Sequence, residues 1–195
     1  MIAIPERPLG HMVLCNISWD NFETIMDALG ETHHRAAYDD GELELMTISF
    51  EHEHAGMWIG RLVFFVALEL GIPICSGGST TLKQSLRKKG LEPDECFWIQ
   101  HERQMRKKKS WNALLDPPPD LGIEIDITTS WLDRLGIYAT LNVPEIWRFD
   151  GETFKVLLLG ANGKYKERAR SAAFPALPMD GFVGFVKKLG SAEET

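Results

Sequence analysis

Two short apolar segments of this chain carry carboxylates, and this pattern constrains the fold more than any other feature of the sequence. Asp94 opens the segment 93–99. Glu124 and Asp126 lie within the segment 119–127. Burying a carboxylate among apolar residues is costly unless a partner offsets its charge. Several carboxylates that converge are better explained by a shared cation than by packing, so the pattern predicts a divalent-metal site.

Both segments have the composition of β-strands, in which alternate side chains share a face. Glu124 and Asp126 then point to one face, and the isoleucines around them point to the other. Asp94 completes the group if the two strands are neighbours. Carboxylates this close repel each other unless a cation lies between them or one is protonated. Such oxygen ligands suit Mg²⁺ or Mn²⁺, which can activate water and neutralise charge on a phosphodiester.

A second interpretation needs no metal. Asp94 could cap the turn after Pro93, and Asp126 could be solvated at the end of its strand. This interpretation explains Glu124 least well, because apolar residues flank that carboxylate on both sides.

The composition is that of one globular domain, with 195 residues, 44% of them hydrophobic and 25% charged. No segment approaches the roughly 18 apolar residues of a membrane span, and the N-terminus lacks the basic and apolar regions of an export signal. The three cysteines are odd in number and widely spaced, which indicates neither a disulfide framework nor paired metal ligands. We therefore expect a soluble protein of the reducing cytoplasm, with no membrane association.

The net charge of −7 argues against a protein that holds nucleic acid by global electrostatics, because such domains usually carry a basic face. Two basic runs could still supply a local basic surface. They are residues 87–89, and Arg103 together with residues 106–109. Alternatively, both runs are solvated loops.

Hydrophobic periodicity and turn signals predict helices and strands in mixed order. The predicted helices are 19–29, 49–70, 131–141 and one that begins at Met179 or Asp180 and ends at Leu189. A hairpin is predicted around residues 39–41, and further strands are predicted in the two acid-bearing segments, at 145–149 and at 154–159. The mixture predicts an α/β or α+β fold, with helices packed on a sheet.

Several short motifs resemble the Uma-two family, formerly a domain of unknown function that is abundant in cyanobacteria. They are DGELELM at 40–46, EHEH at 51–54, GLEPDECFWI at 90–99, PPDLGIEIDIT at 118–128, YA at 138–139 and VPEIW at 143–147. The resemblance covers roughly residues 38–150. We expect a single domain over 1–195, with this core, an N-terminal helical extension over 1–37, and C-terminal strands and a helix over 151–195.

The family is placed in the PD-(D/E)XK restriction-endonuclease-like superfamily. The resemblance therefore implies an αβββαβ core, with a central mixed sheet flanked by helices, and a metal-dependent phosphodiesterase site. Asp94 is similar to the metal-binding Asp of the Pro-Asp motif, and Glu124 to the acidic residue of the next strand. Glu44 or Glu53 would resemble the acidic residue of the first motif.

The sequence departs from the superfamily pattern at one position. A lysine that positions or activates the attacking water is expected two residues after Glu124, and this chain has Asp126 there. Many family members instead carry a basic residue on the following helix, where Arg134 occupies a similar place. Arginine can stabilise phosphate charge, but it stays protonated and is a poor general base. Either metal-activated water replaces the lysine or the site is degenerate, and Arg134 could also be a surface residue paired with Asp133.

The residues and the resemblance together predict an endonuclease that hydrolyses phosphodiester bonds in DNA with metal-activated water. The candidate metal ligands are Asp94, Glu124, Glu44 and Glu53, and the candidate catalytic residues are Asp94, Glu124, Asp126 and Arg134. One alternative is a catalytically inactive scaffold that binds nucleic acid or a protein, and another is an interaction module with no nucleic-acid role. A homodimer is considered as well, because cutting both strands of a duplex takes two sites.

Overall fold

The structure is a computed structural model and describes residues 10–30, 34–127 and 130–188. The strands in these ranges are β1 (His11–Leu14), β2 (His34–Asp39), β3 (Glu42–Thr47), β4 (Cys75–Ser76), β5 (Leu82–Gln84), β6 (Lys89–Leu91), β7 (Glu95–Trp98), β8 (Leu121–Ile125), β9 (Glu145–Phe149), β10 (Phe154–Leu159) and β11 (Tyr165–Arg168). The helices are α1 (Trp19–Leu29), α2 (Phe50–Glu69), α3 (Glu102–Met105), α4 (Arg134–Thr140) and α5 (Met179–Lys188).

Sheet A is antiparallel throughout and has the strand order β1-β3-β2-β6-β5. The predicted hairpin joins β2 to β3 and is confirmed. Asp40 and Gly41 both have positive φ, 41° and 106°. Two positive φ values are what a tight hairpin turn requires to match the twist of its strands. The turn therefore fixes the register that places Glu44 inside the sheet.

Sheet B is mixed, with the strand order β11-β10-β9-β8-β7-β4. β8 and β9 are parallel, and the other pairs are antiparallel. The two acid-bearing segments form the neighbouring strands β7 and β8, in a register that puts Glu95 opposite Ile123. The two strands are therefore neighbours, as is required for Asp94 to lie next to Glu124.

The helices enclose sheet B on both faces. Side chains of α2 and α5 pack on one face, in an apolar cluster that contains Ile123 and Trp147. Tyr138 of α4 packs on the other face together with Ala37, Leu82 and other residues of sheet A. α1 covers sheet A through Phe22, whose ring stacks on Tyr38. Sheet B is thus the central layer, and α4 lies where the two sheets meet.

The mixed α+β fold with helices packed on a sheet is confirmed, and it is consistent with a restriction-endonuclease-like fold. The arrangement differs from the prediction in having two sheets, because the β2–β3 hairpin pairs with β6 instead of joining the central sheet. The predicted helices at 19–29 and 49–70 correspond to α1 and α2, capped by the hydroxyls of Ser18 and Ser49. Leu189, the predicted end of the last helix, lies outside the described residues.

α4 begins three residues later than predicted. The backbone N–H groups of Trp131 and Leu132 donate to the carboxylate of Glu44 in sheet A and so do not start a helix. Asp133 caps the helix instead, by accepting from the N–H of Gly136 at 3.0 Å. A long-range contact therefore overrides the local helical pattern.

None of the helices within the described ranges is long and apolar enough to span a membrane.

Gly122 is where β8, β9 and α4 approach most closely. A methyl group added there would lie 2.8 Å from Ile146 Cδ1 and 3.5 Å from Tyr138 Cε1. We expect Gly122→Ala to lower the free energy of unfolding by about 1–3 kcal/mol, as overpacking in a filled core does. Urea denaturation measures the change. Gly184→Ala in α5 is the control, because its methyl would meet open space and alanine favours a helix. Equal stability of the two variants would contradict the packing described for sheet B.

Candidate active site

Asp94 and Glu124 approach each other across the β7–β8 pair. The backbone N–H of Asp94 donates to the carbonyl of Ile123 at 3.2 Å. The N–H of Ile125 donates to Asp94 Oδ2 at 2.7 Å. Both carboxylates are only 8% exposed. The sheet therefore holds two acidic side chains together at one end of adjacent strands.

Glu124 is held by two residues of α4. Arg134 donates hydrogen bonds to both carboxylate oxygens. Its Nε donates to Oε2 and its Nη2 donates to Oε1, each at 2.7 Å. The hydroxyl of Tyr138 also donates to Oε1. Arg134 and Tyr138 are four residues apart and lie on one face of the helix. The alternative that pairs Arg134 with Asp133 is not what is observed, because Arg134 is nearly buried and its partner is Glu124.

Arg134 keeps its charge in this position. Burial lowers the pKa of its guanidinium, but the negative charge and hydrogen bonds of Glu124 outweigh that effect and the pKa is raised. Nη2 also donates to the carbonyl of Glu92 at 2.7 Å. Nη1 is buried and has no hydrogen-bond partner among the described residues. Nη1 of the permanently charged guanidinium is therefore left to donate to a ligand.

Asp94 is less completely neutralised than Glu124. Arg35 Nε donates to its Oδ1 at 3.2 Å, and His52 Nε2 lies 3.5 Å from the same oxygen. Burial and the adjacent charge of Glu124 raise the pKa of Asp94 to about 6. Burial thus makes the charged form of Asp94 costly, and a cation bound next to it would stabilise that form.

Four predicted site residues line one narrow cavity. These are Asp94, Glu124, Asp126 and Arg134, and the cavity volume is about 10 Å³. A space of that size holds about one water-sized atom. The cavity opens beside a larger one of about 240 Å³, which Ser130 and Arg148 also line. A small ion or water and a bulkier anion could therefore sit side by side.

Asp126 lies just after the end of β8 and contacts the neighbouring strand. Its carboxylate pairs with Arg148 of β9. Both side chains line the larger cavity together with Arg134. At the position where the superfamily pattern has lysine, this chain thus has an aspartate that forms an ion pair with an arginine.

Glu53 lies at the start of α2, on another side of Asp94. Its carboxylate pairs with Arg35 at 3.2 Å and is about half exposed. Glu53, Asp94 and Glu95 line a cavity of about 230 Å³ with His52. Burial and the charge of Asp94 raise the pKa of Glu95 to about 7. Glu53 is therefore near Asp94 but is separated from Glu124.

Glu44 belongs to a different network. It is fully buried and accepts from Ser130 Oγ at 2.5 Å and from the N–H of Trp131 at 2.5 Å, and His11 Nε2 lies 2.7 Å away. Burial raises the pKa of Glu44, but the hydrogen bonds from Ser130, Trp131, His11 and Leu132 together outweigh it and lower the pKa. Glu44 thus anchors the segment that leads into α4 and reaches the cavity only through Ser130.

The ligand chemistry of the site fits a hard divalent cation held by two residues. No group of three or more His, Cys, Asp or Glu side chains within the described ranges has a metal-binding arrangement. Asp94 Oδ2 and Glu124 Oε2 each accept one described hydrogen bond, which leaves each oxygen a lone pair. Mg²⁺ commonly binds through one or two carboxylates and completes its shell with water and substrate phosphate. Asp94 and Glu124 therefore fit Mg²⁺ or Mn²⁺.

Sequence reasoning missed three neighbours of the carboxylates. Tyr138 could have been found from its four-residue spacing to Arg134. His52 belongs to the EHEH motif at 51–54, but neither this motif nor the sequence around Arg35 indicates contact with Asp94, because that contact depends on how β2 and α2 pack against β7.

The two basic runs lie outside the cavities that the site carboxylates line. Lys88 and Lys89 pair with Asp40 and Asp39 at the β2–β3 turn. The second run lies in and after α3, beyond the end of β7 that is remote from Asp94. It keeps Arg103, Lys107 and Lys109 exposed.

A family model, Uma2, described as "Putative restriction endonuclease", matches residues 19–186. The chain therefore belongs to the Uma2 family, as its motifs predicted. No curated protein matches the chain. At the level of the family, this membership supports a nuclease that acts on nucleic acid.

Glu44→Gln should lower the free energy of unfolding by about 2 kcal/mol, because hydrogen bonds to a buried carboxylate are worth more than those to a neutral amide. The folded-state pKa of Glu44 is below its unfolded value, so its contribution is complete above about pH 4.3 and is lost as the pH falls through the folded-state pKa. The stability difference from wild type should therefore shrink on acidification. Urea denaturation over a pH series measures it.

The exposed Glu42→Gln, two residues earlier on β3, is the matched control and should stay within about 0.5 kcal/mol of wild type. A Glu44→Gln difference that does not depend on pH would contradict an ionised, anchoring Glu44.

Proposed function

We propose that this chain is a metal-dependent endonuclease that hydrolyses phosphodiester bonds in DNA. The observation that carries the proposal is the pair of buried carboxylates, Asp94 and Glu124, beside a buried arginine with a free Nη1. Membership of the Uma2 family supports the same reaction class. Asp94 and Glu124 would hold Mg²⁺ or Mn²⁺, which supplies Lewis acidity when bound.

Arg134 has two roles in this proposal. Its Nε and Nη2 orient Glu124, and its free Nη1 can donate to a non-bridging phosphate oxygen. The guanidinium remains charged, so it stabilises the negative charge that develops at phosphorus but does not remove a proton. Water is the nucleophile. The oxygen of the water bonds to phosphorus as the bond between phosphorus and the leaving sugar oxygen breaks. The attacking water gives up a proton to solvent, and the leaving sugar oxygen takes up a proton from solvent.

Two further carboxylates have supporting roles in the proposed mechanism. Asp126 lines the cavity next to Arg134 and could orient the attacking water. Glu44 anchors the segment that precedes Arg134 and so positions that residue indirectly. Glu53 lies next to Arg35 and could join the site only through movement of that ion pair.

We further propose that the enzyme acts as a homodimer, since two sites are needed to cut both strands of a duplex. The cytoplasm is the proposed compartment, because the three cysteines are free.

Asp94→Asn is the sharpest test of the site. Glu124→Gln would leave Arg134 buried without its counter-charge, a change that costs about 3–5 kcal/mol and can unfold the chain. Asp94→Asn leaves the Arg134–Glu124 pair intact and keeps an oxygen to accept from Ile125. We expect the wild type to cleave supercoiled plasmid with Mg²⁺ or Mn²⁺ at low salt, and Asp94→Asn to be slower by about 100-fold or more.

Glu42→Gln is the control and should cleave at the wild-type rate. Equal cleavage by Asp94→Asn would remove the proposed site. A folded wild type that cleaves neither plasmid nor single-stranded DNA would remove the proposed activity.

Arg134→Lys tests the phosphate contact. Lysine keeps a positive charge beside Glu124, so the fold should persist, but it cannot donate to both oxygens of Glu124 and to a phosphate at once. We expect cleavage to fall by roughly 10–100-fold with little change in DNA binding, as loss of a transition-state contact does. An unchanged cleavage rate would show that Nη1 does not act on substrate.

A second candidate function is a nucleic-acid-binding scaffold without activity. This function is favoured because three carboxylates of the site each pair with an arginine, which already offsets the negative charge that a metal ion would offset. The pairs are Arg134 with Glu124, Arg35 with Asp94 and Arg148 with Asp126. Salt-dependent DNA binding without metal-dependent cleavage would support this function in place of the first.

A further inference from the structure

The outer face of α2 carries a long apolar stripe. The opposite face packs Ile59, Val63 and Ala67 against sheet B. The outer stripe contains Phe50 (84% exposed), Met57 (38%), Phe64 (57%), Phe65 (63%) and Leu68 (74%). At 100° per residue these side chains fall within about 100° of arc, opposite the buried face. A helix that is apolar on both faces is typical of the interior of a protein or an interface.

The size of the stripe fits an association surface. At roughly 200 Å² for each large side chain, the exposed fractions correspond to about 600 Å² of apolar surface. A single patch of that size is at the upper limit of what a monomer usually leaves in water. Two such stripes facing each other would bury about 1,200 Å², at the lower limit of a specific protein–protein interface.

The spacing of the stripe favours a second copy of this chain. Six positions on this face of α2 are separated by 4, 3, 4, 3 and 4 residues, a spacing that reads the same in both directions: 50, 54, 57, 61, 64 and 68. His54 and Arg61 are the polar members of this row, and Phe65 flanks it. A two-fold interface requires one patch to complement itself. Two α2 helices packed antiparallel about position 59 would bring Phe50 of each copy against Leu68 of the other. Alternation of three and four residues is the spacing of helices packed side by side.

Charge disfavours the other occupants. The charged residues of α2 are Glu51, Glu53, Arg61 and Glu69, so the helix is acidic overall. An acidic helix is repelled by anionic lipid surfaces and by nucleic acid phosphates. Arg61, within the stripe, stacks over Trp58 with its Cζ 5.1 Å from the ring centroid. It would lie against Met57 of the other copy.

We propose that α2 forms the interface of an antiparallel homodimer. The dimer would give the proposed nuclease two active sites, one in each copy. The interface itself does not depend on the proposed function; only the role of the second site rests on it. His52 lies on the opposite face of α2 from the stripe, and no stripe residue lines the narrow cavity between Asp94 and Glu124. Met57 also lines the cavity of about 230 Å³ on the other side of Asp94, so the interface would border that cavity.

Sedimentation velocity with light scattering tests the interface. We expect the wild type to be a dimer, and the double variant Phe64→Glu/Leu68→Glu to weaken dimerisation by roughly 100-fold or more, because it introduces four charges into the apolar core of the interface. The control is Leu86→Glu, at an 80% exposed leucine outside α2, and should stay dimeric. Circular dichroism checks that each variant is folded. A wild type that is monomeric at all concentrations, or a dimer that Phe64→Glu/Leu68→Glu leaves intact, would overturn the proposal.

Disulfide trapping tests the antiparallel arrangement, in a background with the non-buried cysteines changed by Cys15→Ser and Cys75→Ser. A mixture of Phe50→Cys and Leu68→Cys chains should form a crosslinked heterodimer on oxidation, and Phe50→Cys alone should not crosslink. Crosslinking of Phe50→Cys with itself would contradict the antiparallel pairing. A dimer that cleaves no DNA would remove the proposed function and leave the interface intact, so the two failures are distinguishable.

Discussion

The paired hydrogen bonds between Arg134 and Glu124 are the interaction on which the rest of the site depends. Both groups are nearly buried, and neither would be tolerated there alone. The pair connects α4 to β8. Nη2 of Arg134 also donates to the carbonyl of Glu92, which connects α4 to the segment before β7. Asp94 then lies beside a carboxylate whose charge is already matched, and its own charge is offset by the longer contacts of Arg35 at 3.2 Å and His52 at 3.5 Å.

The remaining structure serves to hold this arrangement in place. Glu44 of sheet A binds the segment before α4 and so fixes where that helix begins. A methyl group added at Gly60 would lie 3.2 Å from Glu95 Cγ, so this glycine lets α2 approach β7 closely. The same packing brings His52 of α2 to Asp94. The site thus depends on contacts from both sheets and two helices.

The sequence predicted the features that rest on local pattern. Alternation in β8 and the apolar context of β7 predicted that Asp94 joins Glu124 if the two strands are neighbours, which they are, and the resemblance pointed to Arg134. The late start of α4, the division into two sheets and the contacts of Arg35 were not predictable. Each depends on residues far apart in sequence, such as Glu44 and Ser130, which are 86 residues apart. Local periodicity carries no information about such pairs.

The proposed site requires that Asp94 and Glu124 together bind a divalent cation. Calorimetric titration of Mn²⁺ into the folded chain at neutral pH, without nucleic acid, measures this binding. We expect binding by the wild type, and binding at least tenfold weaker in Asp94→Asn, which corresponds to about 1.4 kcal/mol of lost binding free energy. Equal Mn²⁺ affinity of the two proteins, or no binding by either, would contradict it.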